Sequence, residues 1–136
     1  MSTVVSSFRL TPGADLRAGI EDTCRKRRLG AVAIVTCVGS LSHAKLRLAD
    51  ADGVEDIEGP LEIVSLAGTV ATTGAHLHAA LADTNGRVVG GHLAYGSIVF
   101  TTAEIVVIED VSVVFDRMFD PTTGYRELVI RKRRGR

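Results

Sequence analysis

HLHAALADTNGRVVGGH, residues 76–92, reads as two short strands joined by a tight turn, and the length of that turn decides what the strands can do together. In an extended chain residues i and i+2 face the same way, so His76 and His78 present their imidazoles from one surface, about 7 Å apart. The direction of His92 depends on the connection. A two-residue type I′ turn at Asn85-Gly86 would pair Thr84 with Arg87, set His92 against Ala79 and send its ring to the other face. A three-residue loop of Thr84-Asn85-Gly86, with Gly86 in the left-handed bulge position, would pair Asp83 with Arg87 and bring His78 directly opposite His92. The second arrangement is the one expected. Gly90-Gly91 removes side chains just before His92, where a ligand or another backbone can approach.

Three neutral imidazoles converging on one face form a metal chelate, so His76, His78 and His92 are the candidate ligands. Zn2+ suits three protein nitrogens with a fourth position open to water or a small molecule, and another divalent transition metal such as nickel, cobalt, copper or iron would fit the same set. The fourth histidine, His43, lies outside this group and is read as a surface residue.

Outward from the histidines the chain is strand-rich. Residues 3–10 and Leu61–Val70 read as strands, the latter after Pro60, and Ala31–Leu41 is an apolar run that suits a central strand. His43–Leu48 alternates and leads to a turn at Asp52-Gly53. Ser97–Phe100 and Glu104–Phe115 add one or two more strands, and Tyr125–Ile130 is a candidate last edge strand. One helix stands out. Leu16, Ile20 and Cys24 recur every four residues, Asp15 comes early and Arg25–Arg28 last, and Gly30 is expected to stop it. With no βαβ alternation, the fold class is α+β: a mainly antiparallel sheet with one principal helix packed on it.

A chain of 136 residues with 46% hydrophobic and 24% charged side chains is long enough for one self-sufficient core. Its apolar residues exceed what a monomer of this size needs to bury, which points to an oligomer. No stretch approaches the roughly 20 apolar residues of a membrane span and no leader pattern is read, so the expected location is the cytoplasm. Cys24 and Cys37 are expected to be reduced and buried. The net charge of zero hides an uneven distribution: eight basic and three acidic residues in 1–47, two and twelve in 48–120, six and one in 121–136. Aromatic residues make up 4%, too few for a single-strand stacking platform.

The segments PLEIVSLAGTV, HLHAALADTNGRVVGGHL and TTAEIVVIE, with PGADL and the strand around Val38-Gly39-Ser40-Leu41, resemble the PPC (plant and prokaryote conserved) domain from about Ser6 to Glu109. The resemblance implies an antiparallel sheet with a helix on it, a homotrimer, and a metal-binding histidine set falling on His76, His78 and His92. It also implies a division into a PPC-like domain at 1–120 and a C-terminal edge strand with a basic tail at 121–136. The fold is similar, more distantly, to that of acetolactate decarboxylase, a zinc enzyme. By that similarity Glu62, on the strand preceding the histidines, is nominated as acid/base or as a partner orienting a ligand.

The chain ends Arg131-Lys132-Arg133-Arg134-Gly135-Arg136, and its RGR resembles the centre of an AT-hook, which places arginines in a narrow minor groove. Such a tail more often makes salt-sensitive contacts with phosphates. Two functions follow. One is a trimeric DNA-binding or regulatory protein with a three-histidine metal site and basic ends that touch DNA. The alternative is a zinc-dependent enzyme acting on a small oxygen-rich substrate.

Overall fold

A computed structural model describes residues 2–134. In chain order the elements are β1 (Thr3–Leu10), α1 (Leu16–Lys26), β2 (Ala31–Arg47), β3 (Glu55–Ala71), β4 (Gly74–Ala82), β5 (Val88–Leu93), β6 (Ile98–Asp110), β7 (Val113–Asp120) and β8 (Tyr125–Lys132). This is the mainly antiparallel α+β architecture that the pattern of strands predicts.

Six strands form one sheet in the order β1-β6-β2-β3-β4-β5, and the end of β2 also pairs with β5 through Leu46–Leu93 and Arg47–His92. Strands β2 to β5 therefore close on themselves, while β6 and β1 extend the sheet from the rest of β2. Closure requires bending. β2 and β3 are 17 residues each, and their register shifts at bulges near Leu41–His43 and Ile63–Ser65 supply the bends.

Burial alternates along β4: Ala75, Leu77, Ala79 and Leu81 are buried, and the residues between them face outward. The inward set meets Leu16 and Ile20 of the helix and Leu41, Leu46, Leu61 and Leu93 of neighbouring strands, all fully buried. Each such side chain contributes about 1.5–3 kcal/mol relative to exposure. With this face committed to the core, His76 and His78 must point the other way. Gly68 permits β3 to lie close to β4, since at φ 154° a Cβ there would sit 2.0 Å from the His76 carbonyl oxygen.

Helix α1 begins where expected. Asp15 caps it, accepting from the Ala18 amide at 2.9 Å, and its other oxygen accepts from Gly96 N–H at 2.6 Å, which ties the helix start to the loop after β5. Its stop differs. Arg28, not Gly30, takes the left-handed conformation at φ 58°, with Leu29 N–H donating to Cys24 C=O and Arg28 N–H to Arg25 C=O. This is a Schellman closure two residues earlier, because the apolar stripe ends at Cys24 and Leu29 turns in against the core. Gly30 N–H instead donates to the buried Glu109 at 2.6 Å.

Tyr125–Ile130, expected as the last edge strand, lies in β8, which pairs with β7 in a two-stranded sheet of its own. The turn between them, Pro121-Thr122-Thr123-Gly124, has Gly124 at φ 80°. Both cysteines are free and buried, and burial pushes the thiols up, to about 11 for Cys24 and about 12 for Cys37.

Candidate metal centre

The connection after β4 is the three-residue loop. Asp83 N–H donates to Arg87 C=O at 2.8 Å, Gly86 N–H to Asp83 C=O at 3.0 Å, and Gly86 has φ 76°. The Asp83 carboxylate reinforces the turn by accepting from the amides of Asn85 and Arg87. His78 consequently pairs with His92, and the three rings share one face with centroid separations of 4.9, 5.4 and 5.9 Å. One ligand atom from each of His76, His78 and His92 lies within 4.8 Å of the others. A tetrahedral zinc with bonds of about 2.0–2.1 Å needs nitrogens about 3.4 Å apart, so the rings would close by roughly an ångström. Gly91 allows the approach of β2: a Cβ there would be 2.9 Å from the Arg47 carbonyl oxygen.

The donor set fits a metal. His92 Nδ1 is buried without a hydrogen-bond partner, a state that costs free energy unless something takes its lone pair. Burial, then Arg17 and Arg47, depress His92 to about 4; burial, then Arg117 and His78, depress His76 as well. Both rings are thus neutral near pH 7, the form that ligates. His76 Nδ1 accepts from Arg117 Nη2 at 3.3 Å. Ligation through Nδ1 would displace that bond, and ligation through Nε2 would require the other tautomer, so either mode removes this acceptor and leaves Arg117 Nη2 with Arg126 C=O at 3.0 Å and Glu127 at 3.9 Å.

His76 and His92 open on a cleft of about 530 Å³ lined by Arg17, Arg47, Asp50, Arg117, Arg126 and Glu127 among others. Glu21, buried on α1, braces it: its carboxylate accepts from Ala75 N–H at 2.8 Å and Tyr95 O–H at 2.6 Å, fixing the start of β4 next to His76. None of these cleft residues is evident from spacing. One signal was available, since the Pro121–Gly124 turn between two strand-forming runs marks the hairpin that supplies Arg117, Arg126 and Glu127.

The other nominated residues lie elsewhere. Glu62 pairs with Ala82, four positions along β4 from His78, and lines a separate cavity of about 460 Å³ with Ser40 and Phe100. His43, on β2, pairs with Asp56 at 3.1 Å and Glu58 at 3.4 Å. Arg131 Nε is 3.9 Å from Asp116, and Arg133 is 3.4 Å from the buried Glu109. Lys132 and Arg134 are exposed, and Arg136 lies outside the described residues. No described helix is long and apolar enough to cross a membrane.

The Plants and Prokaryotes Conserved (PCC) domain matches residues 2–111. A bifunctional protein GlmU from Synechococcus sp. (strain JA-3-3Ab) is 45% identical over 94% of the chain, which spans only 21% of that relative's length. Among solved structures, a hypothetical protein from Salmonella cholerae-suis is 35% identical, with TM-score 0.93 over 96% of this chain and 95% of that one. A protein from Archaeoglobus fulgidus described as metal-containing is 29% identical, with TM-score 0.78 over 93% of each chain.

Proposed function

The chain belongs to the Plants and Prokaryotes Conserved (PCC) domain family, and from that premise we propose that it is a homotrimeric metal-binding protein holding zinc on His76, His78 and His92. The observation behind this reading is the His78–His92 pairing beside an unpartnered, buried His92 Nδ1. The metal-containing relative from Archaeoglobus fulgidus supports it. A zinc held by these three imidazoles would keep a fourth position for a non-protein ligand and would supply Lewis-acid polarisation to an oxygen that reached it. Self-association is supported by Val35, Val38, Val64 and Phe100, apolar side chains that stand 49–59% exposed on β2, β3 and β6 and that a neighbouring subunit would cover.

Metal analysis of tag-free protein tests the site. One zinc per chain is expected, falling to none in the His76→Ala/His78→Ala variant; equal content in both overturns the reading. If the cleft performs zinc-dependent chemistry on an oxygen-rich substrate, a carboxylate that lines it should handle the proton. Glu127 lines the cleft and Glu62 does not, so Glu127→Gln should lower turnover while Glu62→Gln spares it; the reverse would restore Glu62.

A second reading, DNA contact through the C-terminal basic run, is favoured by the exposure of Lys132 and Arg134. The carboxylates beside Arg131 and Arg133 reduce the free charge it offers. Removing Lys132 and Arg134 should lower the salt slope of DNA binding by about one for each phosphate that is no longer neutralised.

A further inference from the structure

Four guanidinium groups, those of Arg17, Arg47, Arg117 and Arg126, line the histidine cleft against only two carboxylates, Asp50 and Glu127. They arrive from three separate parts of the fold: α1, the end of β2, and the β7–β8 hairpin. Arg47 stands opposite His92 in the β2–β5 pairing. Among the described residues its side chain makes no hydrogen bond or ion pair, and its one specific contact is the Tyr125 ring, 5.8 Å from Cζ to centroid. Arg17 donates to the carbonyls of Leu93 and Ala75 at 3.3 and 3.2 Å, yet its Nε is buried without a hydrogen-bond partner, 3.8 Å from Glu21. Arg117 would lose its His76 acceptor once a metal took that ring, keeping Arg126 C=O at 3.0 Å and Glu127 at 3.9 Å.

Cations crowded around a partly dry site repel one another, and a divalent ion on the same histidines adds to the repulsion. An anion between them reverses the sign of every one of these terms. A carboxylate offers two oxygens in one plane, which a single arginine and a metal would saturate. Guanidinium groups converging from three elements are better matched by a tetrahedral group, whose oxygens point in several directions. The cleft, about 530 Å³, is also much larger than one such group, within the range of sites for whole small molecules.

We propose that the cleft binds a small phosphate ester, its phosphate held by Arg17, Arg47 and Arg117 beside His76 and His92. The site deepens the metal reading and rests on it for the ion at its side. The arginines themselves bind the anion with or without that ion, which allows a separate test.

The probe is inorganic phosphate, titrated by calorimetry into chelator-treated full-length protein, with acetate at equal ionic strength as control. Phosphate should bind and acetate should not compete with it. Arg47→Gln should weaken phosphate by about tenfold or more, the loss of a charge-assisted fork, and Arg126→Gln, at an exposed position, by less. Arg47→Lys, keeping charge without the fork, should fall between wild type and Arg47→Gln. Zinc content should be unchanged in all three variants, which also reports that they are folded. Phosphate affinity equal in wild type and Arg47→Gln, or acetate binding as tightly as phosphate, overturns the proposal. If wild type loads zinc but ignores phosphate, this proposal alone falls; if the metal-free protein binds phosphate but zinc never loads, only the metal reading falls.

Discussion

The two hairpins that face each other across the cleft are built in different ways. In β4–β5, Leu77, Leu81 and Leu93 are fully buried, β4 is paired on both edges, and the tip of β5 returns to β2. Among the described residues β7 and β8 pair only with each other, and Phe119 and Ile130 stand 66% and 61% exposed. That hairpin reaches the rest of the fold through a few bonds, among them Phe115 N–H to Gly30 C=O at 2.8 Å and Thr72 N–H to Phe115 C=O at 3.1 Å. The division matches what each hairpin contributes. His78 and His92 sit on backbone paired from both sides, whereas the long side chains of Arg117, Arg126 and Glu127 can adjust from a less constrained support.

The largest effect should come from changing the register of the first hairpin. Deleting Val88, with the loop still holding Asp83 opposite Arg87, sets His92 against Ala79, which turns His92 toward the core face and Leu93 away from it. Metal content should drop from one per chain to none, with a large loss of stability; stoichiometric metal in the deletion would break the register argument. The next largest difference compares cores. Leu77→Ala in β4 should cost about 3 kcal/mol in denaturant unfolding, and Leu128→Ala in β8, 38% exposed, less than about 1 kcal/mol. Equal costs would mean that β7–β8 is as firmly packed as the main sheet.

The same contrast explains what can be read from the sequence. The helix over Leu16, Ile20 and Cys24 and the loop at Thr84–Gly86 depend on residues a few positions apart, where periodicity and turn chemistry act directly. Strand parity also correctly predicts that the three histidines share a face. Parity does not give distance along a strand, however, so Glu62 can face outward and still lie opposite Ala82, four positions from His78. The helix stops before Gly30 because the demand to bury Leu29 outweighs the conformational preference of glycine. The cleft arginines are not visible in the sequence at all, since residues 17, 47, 117 and 126 meet only through tertiary folding.

Acid titration offers a smaller effect confined to β4–β5. The folded-state pKa of His92, about 4, lies below its ordinary 6.5, so the unfolded chain takes up this proton first as pH falls. The stabilisation from keeping the ring neutral is fully present above pH 6.5 and is lost progressively toward pH 4. Metal-free protein should therefore lose stability over this window more steeply than a His92→Gln variant, which removes this group while the carboxylates remain common to both. Parallel curves would mean that His92 titrates normally.

The smallest effects are expected among the ion pairs of the C-terminal segment, and they separate pairs within the hairpin from pairs that anchor it. Arg131, half-exposed with its Nε 3.9 Å from Asp116, gains little from a pair that water screens, so Arg131→Ala should change stability by less than about 0.5 kcal/mol. Arg133 meets Glu109, a buried carboxylate that also accepts from Gly30 N–H and so links the end of β8 to the start of β2. Its removal leaves that buried charge with one partner fewer. Because Arg133 is itself one-third exposed and water can replace part of the interaction, Arg133→Ala should cost about 1 kcal/mol rather than the several expected for a fully buried pair. Adding salt should shrink the Arg131 effect more than the Arg133 effect; equal sensitivity would place both pairs in solvent and leave the hairpin anchored by its backbone bonds alone.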